Sequence, residues 1–152
     1  MFTQVKETGM TIKKTGSAHW EGSVKQGKGT VSSESGALKD QPYGFNTRFE
    51  DGAGTNPEEL IGAAHASCFS MALSMMLGEA GHEPKAIDTT ATVHLDKDDS
   101  GFSVTKVALV TKADVPGISE ADFQSTAEKA KGGCPISKLF TAEISLEASL
   151  VN

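Results

Sequence analysis

The stretch TNPEELIGAAHASCFSMALSMMLGEAG, residues 55–81, determines the architecture because it predicts one long apolar helix. Thr55 or Asn56 can cap its amino terminus, and Pro57 suits the first helical position. Two glutamates follow in the first turn, where the helix dipole favours negative charge. Apolar side chains then occur on nearly every face, up to glycines that can end the helix. The pattern predicts a helix of roughly 20 residues that is buried on most sides.

Alternating apolar and polar residues on both sides of this helix predict β-strands. Residues 10–34 are interrupted by four glycines, which predicts a strand, a turn, a strand, a turn and a third strand. A further short strand is predicted at residues 44–49. Beyond the helix, residues 87–95 and 102–112 alternate and flank the turn DKDDSG. This arrangement predicts a β-hairpin.

The last part of the chain adds two helices and a strand. Ser119 caps a predicted helix that ends before a Gly-Gly pair. A short helix is predicted at residues 134–140 and a final strand at residues 141–150. The chain is thus predicted to be an α+β protein, with antiparallel sheets around a long buried central helix. Residues 1–9 are predicted to be a polar extension, and residues 10–152 a single domain.

The composition excludes several classes of partner. The 152 residues carry 14 basic and 20 acidic side chains, a net charge of −6, and no basic run. Nucleic acid and anionic membrane surfaces are therefore not expected to bind. No run of about 18 apolar residues and no secretory signal is recognised, so we expect a cytoplasmic protein that does not enter a membrane. Aromatic residues make up only 6%, so the core is thin and oligomerisation would bury more surface.

The two cysteines, Cys68 and Cys134, are far apart in sequence and form no local redox motif. Cys68 lies about three turns into the apolar helix, where a thiol is a poor nucleophile unless a cation approaches it. Cys134, in GGCPIS, directly precedes Pro135 at the start of a helix, where backbone N–H groups stabilise a thiolate. On local electrostatics alone, Cys134 is the better nucleophile. Either thiol could also be an inert core or capping residue.

His65 and Arg48 are the other candidates for chemistry. His65 precedes Cys68 by three residues, so both face one side of the helix and, with Cys134, could bind a metal. A hydrogen-bonded structural histidine is the simpler interpretation, and no acidic partner supports a cysteine hydrolase. Arg48 is the only arginine in the chain and lies between two phenylalanines. A planar, permanently charged group there suggests a role in stabilising charge, although a surface position on a strand would explain it equally well.

Four stretches of the chain carry a resemblance to a known family: GSAHWEGSVKQGKGTVSSESG, QPYGFNTRFE, GTNPEELIGAAHASCFSMALSMMLGEAG and AKGGCPISKLF. They resemble the osmotically inducible protein C (OsmC) family, whose relatives include the organic hydroperoxide resistance (Ohr) proteins. The similarity covers nearly the whole chain from Met10 onward, and the NPEELIGAAHASCFSMALS run and the GCP motif are specific. His65 and the TRFE sequence resemble the OsmC branch more than the Ohr branch.

The resemblance implies a thiol peroxidase of oxidative and osmotic stress defence, which reduces organic hydroperoxides and, more weakly, hydrogen peroxide. It also implies an OsmC/Ohr-like fold: an intertwined homodimer with active sites at the subunit interface. Cys68 would be the peroxidatic cysteine and Cys134 the resolving one, while Arg48 and Glu58 match the family's arginine and glutamate. This assignment overrules the local argument for Cys134, because Arg48 of a partner subunit would supply the cation that Cys68 lacks.

The same resemblance implies an apolar substrate site and an external reductant. The substrate-binding candidates are apolar residues of the central helix and those beside Arg48: Phe45, Phe49, Phe69, Met71, Met75 and Met76. A Cys68–Cys134 disulfide would be reduced by a lipoylated protein or a thioredoxin-like dithiol, and no metal, haem or flavin cofactor is needed. Two alternatives stay open: a metal-binding protein that uses His65, Cys68 and Cys134, and a non-catalytic dimer that binds hydrophobic ligands.

Overall fold

A computed structural model describes residues 11–152 of the chain. The chain folds as two compact units that divide between Asn56 and Pro57. The extension predicted for residues 1–9 lies outside the described residues. The single domain predicted for residues 10–152 stays a prediction.

The first unit contains a three-stranded antiparallel sheet. Its strands, with the second in the middle, are β1 (Gly16–Glu21), β2 (Lys28–Ser33) and β3 (Gln41–Tyr43). Two of these strands lie within residues 10–34, as predicted, whereas the third lies further along the chain. Gly29 of the middle strand leaves room for two rings, because a Cβ atom there would lie 2.6 Å from both Trp20 and Tyr43. Those rings pack against each other with their centroids 5.6 Å apart.

Residues 44–49, predicted to be a strand, instead contain the helix α1 (Phe45–Phe49). The Gly44 N–H donates a hydrogen bond to the Thr47 hydroxyl at 2.8 Å, and that hydroxyl donates to the Gly44 carbonyl at 3.0 Å. Such local bonds close a turn and compete with strand pairing. The two phenylalanines of α1 are four residues apart and pack with ring centroids at 4.9 Å. This helical spacing is the signal that favours a helix over a strand.

The second unit is built on α2 (Pro57–Glu79), which confirms the long helix predicted from the sequence. Its buried residues form one stripe at helical spacing: Gly62, His65, Phe69, Leu73 and Leu77. The prediction of burial on most sides is wrong for the single chain, since Met71 is 72% exposed and Met75 is 44% exposed. A second apolar face of α2 is therefore left uncovered by the chain itself.

The carboxyl terminus of α2 is set by Gly81, one of the two glycines that could end it. Gly81 has a φ of +88°, in the left-handed region that favours glycine. The N–H of His82 donates a hydrogen bond to the Leu77 carbonyl at 2.9 Å. This bond satisfies one of the last helical carbonyls, as expected of a glycine-terminated helix.

By length and composition alone, α2 could cross a membrane, because an 18-residue window of it has a mean hydropathy of 1.6. The expectation that no segment is apolar enough to span a membrane is therefore wrong by this measure of hydropathy. The core helix of a soluble protein passes the same test. Here the helix packs along the strands of its own unit and buries a continuous stripe against them. We therefore describe α2 as a core helix.

The second sheet has the strand order β4–β5–β6 and is mixed. Strands β4 (Ala86–Asp98) and β5 (Gly101–Asp114) form the predicted antiparallel hairpin. Strand β6 (Glu143–Leu150) pairs with β5 in parallel, so the prediction of antiparallel sheets is wrong for this pair. Parallel neighbours need a crossover connection rather than a tight turn. The helices α3 (Glu120–Gly133) and α4 (Pro135–Leu139) provide it.

The crossover helices close the core of the second unit. The Ser119 hydroxyl accepts a hydrogen bond from the Asp122 N–H at 3.1 Å, which confirms the predicted start of α3. One connected core joins α2, β5 and α3, and its members include Phe69, Leu73, Leu77, Leu109, Ala113, Val115, Phe123, Ala127, Ala130 and Cys134. The predicted α+β class is therefore confirmed, and one of the two cysteines belongs to the core.

Candidate redox site

The fold brings together the two cysteines that the sequence separates. Cys68 lies about three turns into α2, and Cys134 lies between the end of α3 and the start of α4. The Cys134 thiol is directed at the Cys68 sulfur, and the two Sγ atoms are 2.9 Å apart. Both cysteines are free thiols. Because a disulfide needs close Cβ atoms and facing sulfurs, this placement suits a reversible bond between them.

The two thiols differ in their access to solvent. Cys134 has no exposed surface, whereas Cys68 is partly exposed. A small molecule arriving from solvent therefore reaches the Cys68 sulfur first. The Cys134 sulfur is less accessible, and the group in contact with it is the Cys68 thiol. Local electrostatics predicted Cys134 to be the better nucleophile, whereas solvent access favours Cys68.

The electrostatic environment of Cys68 combines two opposing effects. Burial raises the pKa of the Cys68 thiol, and the neighbouring Cys134 sulfur adds to the increase. A hydrogen bond from the backbone of Ile136, in the first turn of α4, lowers that pKa and only partly offsets the burial. The N–H groups that the sequence assigned to Cys134 as stabilising donors thus act on the other cysteine. Within this unit alone, Cys68 still favours the protonated thiol.

His65 occupies the same face of α2 as Cys68 but is not directed at either sulfur. Its Nε2 atom lies 2.7 Å from the Ser137 hydroxyl of α4, and its ring packs on Phe140 with centroids 5.2 Å apart. Burial lowers the pKa of His65, which keeps the ring neutral. Within residues 11–152, no group of three or more His, Cys, Asp or Glu side chains could hold a metal ion. His65, Cys68 and Cys134 therefore do not form the ligand set of the metal-binding alternative.

The predicted charged partners belong to different units. Arg48 lies in the last turn of α1, with its guanidinium carbon 5.4 Å from the Phe49 ring centroid, in the first unit. Glu58 lies in the first turn of α2, in the second unit, ten residues before Cys68. That separation corresponds to roughly 15 Å along the helix axis. The roles of Arg48 and Glu58 at the thiols stay predictions.

The apolar substrate candidates fall into distinct environments. Phe69 is fully buried in the core, which favours a structural role, and its assignment to substrate binding stays a prediction. Met76 packs against that core, whereas Met71 and Met75 are exposed on the uncovered face of α2. Met71 also lines a small cavity of about 280 Å³ beside the start of β4. The other candidates, Phe45 and Phe49, belong to the first unit.

Ser137 and Ile136 are the residues near the cysteines that the sequence analysis missed. Both lie in the GCPIS segment, three and two residues after Cys134. The spacing of residues could have indicated Ser137. Ser137 follows Cys134 by three residues, and Cys68 follows His65 by the same interval. Matching intervals of this kind on two helices allow two pairs of contacts across one interface.

Comparison with known proteins shows the family to which the chain is related. A family model described as OsmC-like protein matches residues 50–149. Peroxiredoxin OsmC of Escherichia coli (strain K12) is 64% identical over 141 residues, which cover 93% of this chain and 99% of that protein. Organic hydroperoxide resistance protein OhrA of Bacillus subtilis (strain 168) is 35% identical over 94 residues, or 59% and 62% of the two chains. The crystal structure of the organic hydroperoxide resistance protein OhrB of Bacillus subtilis superposes with a TM-score of 0.68 at 28% identity, covering 90% of this chain and 98% of that one.

Proposed function

We propose that this chain, which belongs to the OsmC family, is a thiol-dependent peroxidase that reduces organic hydroperoxides to alcohols. Similar proteins are named a peroxiredoxin and an organic hydroperoxide resistance protein. The observation that carries the proposal is the contact between a partly exposed thiol and a buried one, 2.9 Å apart. A two-cysteine peroxidase needs this asymmetry, since one thiol must meet the peroxide and the other must wait for the product.

In the proposed cycle, Cys68 reacts first. Its thiolate attacks one oxygen of ROOH, the O–O bond breaks, and ROH leaves after it takes up a proton. The sulfur keeps the other oxygen as a sulfenic acid. The Cys134 sulfur then attacks the Cys68 sulfur, the S–O bond breaks, and hydroxide leaves as water with the thiol proton. The peroxide has gained two electrons, and the pair of thiols has become a disulfide.

Arg48 would supply a positive charge near the Cys68 sulfur, and Glu58 would orient it. Burial disfavours the thiolate of Cys68, and the Ile136 N–H offsets this only in part. A guanidinium near the sulfur would favour the charged form and could also bind the peroxide oxygens through its planar fork. We assign this role to Arg48, the only arginine in the chain, and the role of orienting it to Glu58. A partner subunit is the proposed source of this arginine.

A homodimer is part of the same proposal. The helix α2 exposes Met71 and Met75 although the segment is strongly apolar. Burying such side chains contributes about 25 cal/mol per Å² of apolar surface. A second copy of the chain that packs its own α2 on this face would complete the burial that the sequence predicts. The same packing would allow units of two chains to form each active site.

The substrate is proposed to be an alkyl or aryl hydroperoxide, and the reductant an external dithiol. Met71, Met75 and Met76 of α2, with Phe45 and Phe49 of α1, would contact the organic group. Each buried methylene contributes about 0.8 kcal/mol, so an apolar site favours bulky peroxides over hydrogen peroxide. A lipoylated or thioredoxin-like protein would reduce the disulfide in the cytoplasm, by thiol exchange through a mixed disulfide.

Steady-state peroxide consumption tests the proposed function. We expect the purified protein with excess dithiol to reduce cumene hydroperoxide with a kcat/KM at least about tenfold above that for hydrogen peroxide. Consumption should leave one alcohol per peroxide and no free oxidised intermediate. If the protein consumes neither peroxide and loses no thiol, it is not a peroxidase, and the hydrophobic-ligand alternative gains support. Elemental analysis of the same preparation tests the metal-binding alternative directly.

A further inference from the structure

The bond between His65 and Ser137 lies in the interior of the second unit, next to the two thiols. His65 has no exposed surface and Ser137 is only 6% exposed. The 2.7 Å contact between the imidazole Nε2 and the hydroxyl joins α2 to α4. Buried polar contacts of this kind are costly to break, because neither group then recovers a hydrogen bond from water. This bond therefore constrains how α4 sits on α2.

The remaining ring nitrogen fixes the direction of this bond. The Nδ1 atom of His65 is buried and has no hydrogen-bond partner within residues 11–152. A buried N–H without an acceptor is rarer and less favourable than a buried lone pair without a donor. Within residues 11–152 this favours the tautomer with its proton on Nε2, which donates to the Ser137 oxygen. The Ser137 hydroxyl is left able to donate a hydrogen bond of its own.

The two pairs of contacts between α2 and α4 form a short antiparallel ladder. His65 and Cys68 are three residues apart on α2, and Cys134 and Ser137 are three residues apart at the start of α4. His65 meets Ser137, and Cys68 meets Cys134 at 2.9 Å. A rise of about 1.5 Å per residue places the two contacts roughly 4.5 Å apart. The His65–Ser137 pair is chemically unchanged during the proposed cycle, whereas the Cys68–Cys134 pair is oxidised and reduced.

We propose that His65 and Ser137 are positioning residues that hold α4 in register with α2, so that Cys134 can reach the oxidised Cys68. The inference rests on the proposed function, because it concerns the second step of that cycle. In this step the Cys134 sulfur bonds to the Cys68 sulfur of the sulfenic acid, and the S–O bond breaks as water leaves. Once Cys68 carries the oxygen, the Cys134 sulfur must attack it from the side opposite the S–O bond, which requires α4 to keep its position on α2. The histidine–serine bond is then the polar link that keeps Cys134 close.

Helix α4 is short and follows α3 with one residue between them. Gly132 and Gly133 are the last residues of α3, and Cys134 separates the two helices. Helix α4 itself has only five residues, with Leu139 73% exposed on its outer side. On the inner side of the helix, Ile136 packs against the core and Ser137 is buried, and the bond to His65 is the polar contact among these apolar ones. The His65–Ser137 bond anchors it at the buried side, one turn from the reacting sulfur.

Single-turnover kinetics of His65→Phe and Ser137→Ala test the inference. The phenylalanine keeps a ring against Phe140, and the alanine removes only the hydroxyl, so each variant deletes the bond with little change of volume. The full-length protein is mixed with cumene hydroperoxide and quenched, and mass spectrometry follows the dimedone-trapped sulfenic acid and the disulfide. We expect disulfide formation to slow by about tenfold or more, with Cys68 oxidation within about threefold of wild type.

Three further variants complete the design. His65→Gln can still donate from its amide to Ser137 and should recover most of the disulfide rate. The double variant should be no slower than either single variant, since all three lack the same bond. Ser125→Ala, an exposed position of α3, is the control for loss of a hydroxyl and should behave as wild type. Equal disulfide rates in wild type and both single variants would overturn the inference, as would equal slowing of both steps. If wild-type Cys68 does not react with peroxide at all, the proposed function fails instead.

Discussion

Cys68 and Cys134 make contact at 2.9 Å, yet their surroundings give them different chemistry. Cys134 is buried in the core, and Cys68 is partly exposed. The start of α4 directs the Ile136 N–H to Cys68, although Cys134 is the residue at the cap. Burial still outweighs this hydrogen bond, so the pKa of Cys68 is raised. Burial therefore disfavours the Cys68 thiolate, and a cation near the sulfur would offset this effect.

Arg48→Ala tests whether the arginine favours the Cys68 thiolate. A thiol is alkylated as the thiolate, so the alkylation rate rises with pH through the pKa of the thiol. Because burial raises the pKa of Cys68 and Arg48 is proposed to lower it, the variant's titration should shift to higher pH. Its peroxidase rate should fall by about 10²-fold or more. Iodoacetamide alkylation against pH, followed at Cys68 by mass spectrometry, makes the measurement.

Two matched variants sharpen this test. Arg48→Lys keeps a charge but lacks the planar fork, so it should rescue the titration only in part. Glu58→Ala should lower the peroxidase rate less than Arg48→Ala and leave the protein folded, because it acts through the arginine. An unchanged Cys68 titration in Arg48→Ala would show that another group activates the thiol.

Among the helices and strands, local signals in the sequence define α2, α3 and α4 well, whereas α1 was predicted to be a strand. Pro57 and the terminating glycine of α2, and the Ser119 cap of α3, are all found where expected. The parallel pairing of β6 with β5 could not be predicted, because strand register across a crossover depends on where the helices pack. The approach of Cys134 to Cys68 was implied by the family resemblance but by no local pattern, because it depends on contacts between distant segments of the chain.

Two glycines of α2 give opposite predictions for the same substitution. A Cβ atom at Gly62 would lie 3.0 Å from the Ala91 carbonyl oxygen of β4, whereas at Gly78 it would meet nothing within 4 Å. In the monomeric chain, Gly78→Ala should therefore add about 0.5–1 kcal/mol of stability through helix propensity, apart from any contact on the proposed dimer face that Gly78 shares with Met71 and Met75. Gly62→Ala should destabilise it by about 1 kcal/mol, since crowding against backbone exceeds that gain.

Urea unfolding of both variants, at equal protein concentration and with the cysteines reduced, provides the comparison. If Gly62→Ala stabilises the protein as much as Gly78→Ala does, then close packing of α2 on β4 does not constrain this position.

At the scale of the whole molecule, the exposed apolar face of α2 is the surface that calls for a partner. The single chain leaves Met71 and Met75 exposed on its most apolar helix. A thin core gains most from association, as expected for a chain of this size and composition. The proposed homodimer accounts for both observations and also for the placement of Arg48 and Cys68 in different units.

Met71→Glu should weaken this dimer, because a carboxylate would be buried at the interface without a partner. Sedimentation velocity should give a dimer for the wild-type chain of 15.9 kDa and a dissociating species for the variant. Val110→Glu, at a 36% exposed position of β5, is the control and should stay dimeric. A wild-type protein that sediments as a stable monomer would remove the basis for an active site shared between subunits.

The division of roles between the two cysteines underlies the whole proposed mechanism, and one experiment addresses it. Reduced wild type, Cys68→Ser and Cys134→Ser are each mixed with one equivalent of cumene hydroperoxide, and peroxide, free thiols and dimedone adducts are quantified. Wild type should consume the peroxide and lose both thiols as an intramolecular disulfide. Cys134→Ser should still consume it, with the oxidised product trapped at Cys68, and Cys68→Ser should consume none. Peroxide consumption by Cys68→Ser, with Cys134→Ser inactive, would reverse the two roles and contradict the proposed cycle.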